Sequence, residues 1–216
     1  MNFQDTYKEL VELTNSSDAL MVHRAMRAVN RAIAWMVNQH DFLYNETSAN
    51  VTIDSSGVVT LPDDFSKLVS ACYANEGKQI PVVTYPLFRA RKVLFEQRTT
   101  STLNDPSFFE DFVNEQHGMW LVQHGQVIEA FPAPTVNTQV SLYYQKAFTP
   151  LAATTDTNFL LSAFPDTVML KAITSTFRAY LRPEVASSFP AELFLAEWDS
   201  VISWDTSLRS NFNQLS

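Results

Sequence analysis

Four histidines, at positions 23, 40, 117 and 124, are the side chains of this chain best suited to proton transfer or metal ligation near neutral pH. His117 and His124, with Glu110, Asp111 and Glu115 close by in sequence, come nearest to a nitrogen and oxygen ligand set. Neither a helical pair of histidines nor a recurring ligand spacing accompanies them, so polar strand ends account for them better. Asp63 and Asp64 resemble a carboxylate pair only superficially, because successive strand residues face opposite sides. After Leu61 and Pro62 they end a strand and open a turn toward Phe65. Cys72 lies in the apolar run from Leu68 to Tyr73, where a thiol acts as a small buried hydrophobe. As the only cysteine it forms no internal disulfide and no thiolate cluster. The four glycines, at 57, 77, 118 and 125, never form a phosphate-cradling pair. With no nucleophile, base and orienting group at a credible spacing, the expectation is a protein that is not an enzyme, with no catalytic residue, metal or cofactor.

Charge points elsewhere. Fifteen Lys and Arg stand against 23 Asp and Glu, a net charge of −8, which argues against sequence-independent DNA binding through clustered cations. The cations concentrate at Arg89, Arg91, Lys92 and Arg98, whereas from 99 to 145 the only charges are Asp105, Glu110, Asp111, Glu115 and Glu129. Such segregation marks either two solvated faces or matching surfaces on copies of one chain. The second reading makes Arg89, Arg91, Lys92, Arg98, Glu110, Asp111 and Glu115 candidate inter-subunit contacts. No apolar stretch is long enough for a membrane span, and the start lacks a signal-peptide pattern, so synthesis in the cytoplasm is expected.

These residues must be positioned by elements that the patterning predicts. All glycines fall between 57 and 125, dividing the chain into helical ends and a turn-rich middle. Ala19, Val22, Met26, Val29, Ile33 and Met36 recur at helical spacing and predict a helix over about 17–39, capped by Ser16 or Ser17, with Asp18 in its first turn. A shorter helix through Phe3, Tyr7, Leu10 and Val11 precedes it. Phe164-Pro165 and Phe189-Pro190 predict two further helix starts, the first carrying Met169, Ile173 and Phe177, the second Phe194, Trp198 and Val201. In the middle, hairpins around Gly57, Gly77 and Gly125 and a strand from Val140 to Tyr144 predict an antiparallel meander. A short helix from Leu87 to Phe95 and a long glycine-free loop within 84–117 interrupt it, the loop expected to order against a partner. The expected fold class is α+β: a four-helix bundle from both chain ends (1–43 and 151–216) with an inserted small antiparallel β-rich sub-domain (44–150).

Arg27, Asn30, Ala34 and Trp35 on the long helix, the Val51 to Val59 hairpin, and Leu61-Pro62-Asp63-Asp64-Phe65 resemble the start of head-to-tail adaptor proteins of tailed bacteriophages. Phe131-Pro132-Ala133-Pro134, the strand from Val140 to Tyr144 and the Phe164-Pro165 helix extend the resemblance over nearly the whole chain. It implies a virion structural protein forming a homo-oligomeric ring of about twelve copies in the neck between capsid and tail. Such a ring sits under the portal protein, joins it to a tail tube or nozzle protein, and lets double-stranded DNA pass without specific binding. An acidic chain suits such a channel. At the C-terminus the apolar spacing falters at Asp205, yet Leu208, Phe212 and Leu215 could line one side of a helix. With Arg209 they form a candidate portal-docking segment. The competing class is a virion or cell-surface β-module binding a carbohydrate or protein receptor through Trp120, Tyr143 and Tyr144.

Overall fold

The computed structural model describes residues 2–14, 16, 18–100 and 118–213, of which 94–100, 212 and 213 are described by their backbone alone. They divide into two compact units, Met1–Tyr44 with Phe148–Ser216, and Asn45–Ala147.

In the unit built from both chain ends, helix α1 (Phe3–Glu12) opens on a capping box. Asn2 accepts from the Asp5 amide, and the Asp5 carboxylate accepts from the Asn2 amide. Helix α2 (Ala19–Gln39) is capped by Asp18 itself, whose carboxylate accepts the Met21 amide at 2.6 Å. The expected cap Ser16 lies outside it, and Ser17 falls outside the described residues. The buried face of α2 is Ala25, Ala28, Val29, Ala32, Ile33 and Met36, so it is turned from the predicted stripe toward a row of alanines. Val22 and Met26 are only half-buried. Small residues at the contact let neighbouring helices approach closely.

The expected four-helix bundle is not what the C-terminal segment forms. The short α4 (Phe159–Ala163) precedes Pro165, and instead of one long helix after it the chain makes α5 (Pro165–Ala172), a π turn (Ile173–Phe177), a 3-10 turn (Arg178–Tyr180) and α6 (Pro183–Ser187), before the long α7 (Ala191–Asn213). The break has local causes. Thr174 Oγ1 donates to the Leu170 carbonyl at 2.7 Å and Ser175 Oγ to the Lys171 carbonyl at 2.6 Å, drawing those oxygens from the regular ladder. Arg182 is then held extended by the following Pro183. Both chain ends nevertheless share one core: Phe3, Leu10, Ile33 and Met36 cluster with Leu161, Val168, Ile173 and Phe177, and with Trp198 and Val201 of α7.

The middle unit is an antiparallel sheet of β1 (Glu46–Ile53), β2 (Val58–Val59), β3 (Phe65–Tyr73), β4 (Gln79–Ile80), β5 (Trp120–His124), β6 (Val127–Phe131) and β7 (Thr138–Lys146). Its order is β4-β3-β7-β1-β2-β6-β5, so β7 lies between β1 and β3 and the expected meander is also corrected. Most of β1 pairs with β7, and only Ile53 pairs with β2. The two edges meet. Immediately after β4, Val83 N donates to the Leu121 carbonyl and Leu121 N to the Pro81 carbonyl, both at 2.9 Å, so the sheet closes on itself. Inside lie Ile53, Phe65, Leu68, Leu121, Ile128, Val140, Leu142 and Tyr144.

The seam has one weak stretch, because β4 covers only Ala71 and Cys72 of β3. There the Gln123 side chain accepts the Leu68 amide at 2.7 Å and donates to the Ser66 carbonyl at 3.0 Å, replacing a missing strand with one amide group. At the β1–β2 turn Gly57 has φ +74, and a Cβ there would lie 2.7 Å from the Ala130 carbonyl oxygen, so glycine alone fits.

Candidate functional site

Helix α3 (Tyr85–Thr100) packs on the outer face of the β5–β6 hairpin and carries the predicted basic cluster. Alternation along β5 and β6 sends Leu121, Ile128 and Ala130 inward and leaves Trp120, Glu129 and Phe131 outside, where α3 meets them. Phe88, 2% exposed, sets its ring edge-on to Phe131. One turn on, Arg91 lays its guanidinium 3.6 Å from the centroid of the Trp120 ring. Lys92 Nζ lies 2.7 Å from Glu129 Oε1 and holds that carboxyl below the usual carboxylate range. His124 Nε2 stands 3.5 Å from the other oxygen of Glu129.

The predicted inter-subunit residues thus separate. Arg89 is exposed, Arg91 is buried, and Lys92 already pairs with an acid of its own chain. Arg98 lies on α3 with its side chain not described, and Glu110, Asp111 and Glu115 fall outside the described residues. Both terminal nitrogens of Arg91 are buried without a hydrogen-bond partner, and that burial lowers its pKa.

The C-terminal candidates sit on α7. Asp205, where the apolar stripe falters, is fully buried. Its carboxylate accepts the Leu43 amide at 2.9 Å and faces His40 Nε2 at 2.9 Å and Arg209 Nε at 3.2 Å. Arg209 also donates to the Asp41 carbonyl. This network ties α7 to the end of α2; a mid-stripe acid with His40 and Arg209 elsewhere was its only trace in the sequence. Leu208 is half-buried, the Phe212 side chain is not described, and Leu215 lies outside the described residues.

Two residues of the helix motif also have structural tasks. Asn30 accepts the Leu151 amide at 2.8 Å and donates to the Leu151 carbonyl at 3.0 Å, pinning the chain where it rejoins α2. Trp35 holds the Lys171 ammonium 3.3 Å from its ring centroid, and the Phe194 ring, edge-on to Trp35, lies 4.7 Å from the same ammonium. Among the described residues no group of three or more His, Cys, Asp or Glu could hold a metal ion, and His117, with Glu110, Asp111 and Glu115, falls outside them. Asp64 accepts the Tyr144 hydroxyl at 2.7 Å, while Phe65 N closes the predicted turn on the Pro62 carbonyl. Trp120 lies under Arg91, Tyr144 is buried and Tyr143 is exposed, so they do not form a common stacking platform.

A family model described as SU10 adaptor protein matches residues 1–209. The chain belongs to that family. The match agrees with the resemblance of its motifs to phage head-to-tail adaptors and spans both units of this adaptor. No curated protein matches it. No helix among the described residues of the adaptor is long and apolar enough to cross a membrane.

Proposed function

We propose that this adaptor forms a ring of about twelve copies in the virion neck, seated under the portal protein and carrying the tail tube or nozzle protein. The observation that carries the reading is the family match over residues 1–209. The physical chemistry supports it. A net charge of −8 suits a channel wall past which DNA slides without being gripped. A closed sheet with no long free edge suits a subunit that meets its neighbours through chosen surfaces rather than strand addition.

Portal docking falls to the end of α7, from Leu208 through Phe212 toward Leu215, with the Asp205–His40–Arg209 network fixing the helix that presents it. Truncation after Ser210 keeps Arg209 on Asp205 and removes Phe212 and Leu215. The truncated chain is expected to melt like the full chain and to lose attachment to DNA-filled heads in a tail-joining assay. Heads that join tails normally with the truncated protein would move the portal contact to another surface.

A further inference from the structure

We propose that α1 of one copy lies antiparallel along α2 of the next, with its outer row of acids on the outer row of arginines. The proposal rests on the ring reading above and adds the two surfaces that close the ring.

Both rows face away from the core. Helix α1 buries Phe3, Tyr7 and Leu10, and about half a turn round it leaves Asp5, Glu9 and Glu12 exposed. Helix α2 carries no acid between Ala19 and Gln39, and Arg24, Arg27 and Arg31 follow one another along its outer side. Arg27 and Arg31 are exposed, while Arg24 is half-buried, its guanidinium 4.5 Å from the Tyr180 ring centroid. Although α1 and α2 pack on each other, none of the three arginines, nor Glu9 or Glu12, has an ion-pair partner among the described residues. Asp5 gives one carboxylate oxygen to the Asn2 amide. Guanidinium forks left without carboxylates keep that pairing for another surface.

Spacing assigns the occupant. From Asp5 forward the acids step by four and then three residues, and from Arg31 backward the arginines step by four and then three. At about 1.5 Å of rise per residue, each row sets its charges about 6 Å and then about 4.5 Å apart. Laid antiparallel, Asp5 meets Arg31, Glu9 meets Arg27 and Glu12 meets Arg24, while Lys8 falls opposite Ala28 and opposes no arginine. Laid parallel, the middle pair is out of step by one residue. The two rows do not meet within one chain, so the matching row is supplied by a second copy. Head-to-tail contact of two unlike surfaces is what a closed ring requires. DNA phosphates also suit arginines, but they would leave the acids of α1 and their matching spacing without a role.

The test uses two full-length variants, Arg27→Glu with Arg31→Glu and Glu9→Arg with Glu12→Arg, each alone and mixed in equal amounts. Thermal midpoint is read, and assembly is read by sedimentation with and without purified portal rings. All four positions are exposed, so both variants should melt as wild type does. Each alone sets like charge against like and should assemble at least about tenfold more weakly than wild type. In the mixture the two reversed rows match each other and the two native rows match each other, so alternating copies should recover assembly. A chain carrying all four changes restores both matches and should assemble alone, a recovery that misfolding of either parent variant would not produce. If wild type forms rings and each variant alone does so equally well, the α1–α2 contact is wrong and the ring reading stands. If both variants fail and neither the mixture nor the fourfold variant recovers, the rows serve another partner and the second copy is overturned as occupant. Loss of assembly on reversal of α2 alone, with reversal of α1 harmless, would overturn it too and give the arginines to the portal or DNA. Wild type that reaches portal rings only as single copies would overturn the ring reading, and this contact with it.

Discussion

Asp205 carries more of this molecule than its place in the sequence suggests. A fully buried carboxylate is tolerated because Leu43 N, His40 and Arg209 surround it. Asp205→Ala leaves the Leu43 amide and His40 without their acceptor and is expected to cost about 3–5 kcal/mol in chemical denaturation. A change below about 1 kcal/mol would mean the network is incidental. Tyr144 offers a second test. Burial and the Asp64 carboxylate push its phenol up to about 12, above the usual value of about 10. Folding favours the neutral phenol, so this contribution is intact below about pH 10 and is lost as pH rises from about 10 to 12. Alkaline unfolding should show that loss in wild type and lack it in Tyr144→Phe. At this scale the sequence was partly legible: the Pro62 to Phe65 turn follows from residue types, whereas Asp205 read as a defect because its partner His40 lies 165 residues away.

Among the elements, the seam between β3 and β5 depends on Gln123. Gln123→Ala should cost about 1–3 kcal/mol and raise hydrogen exchange at the Leu68 amide more than at Ala71, where β4 supplies regular pairing. Equal exchange at both sites would mean the seam is held by other bonds. Strand and helix positions were legible wherever periodicity was strong, as in α2 and the β5–β6 hairpin. Two things were not. Partners of strands are long-range, so nothing near Val140 announces that β7 pairs with both β1 and β3. The alanines that form the buried face of α2 carry little hydrophobic signal, so the predicted stripe fell one side over. The division of the segment after Pro165 turns on Ser and Thr back-bonding at Leu170 and Lys171, a choice that composition leaves open.

For the whole molecule, the unit built from both chain ends has one core rather than two. Ile173, fully buried among residues of both ends, should cost about 2–5 kcal/mol on change to Ala, and the loss should appear in the melting of α1 and α2 as much as in that of α7. A fragment of 1–150 that melts as cooperatively as the full chain would contradict a shared core. The adaptor role became legible through the order of short motifs, and two of their residues, Asn30 and Trp35, prove to hold the fold together. Native mass spectrometry of the purified chain mixed with purified portal rings tests directly whether copies of this chain ring a portal. One complex carrying about twelve copies per portal ring is expected; a portal ring bearing a single copy, or none at saturating protein, would contradict a ring.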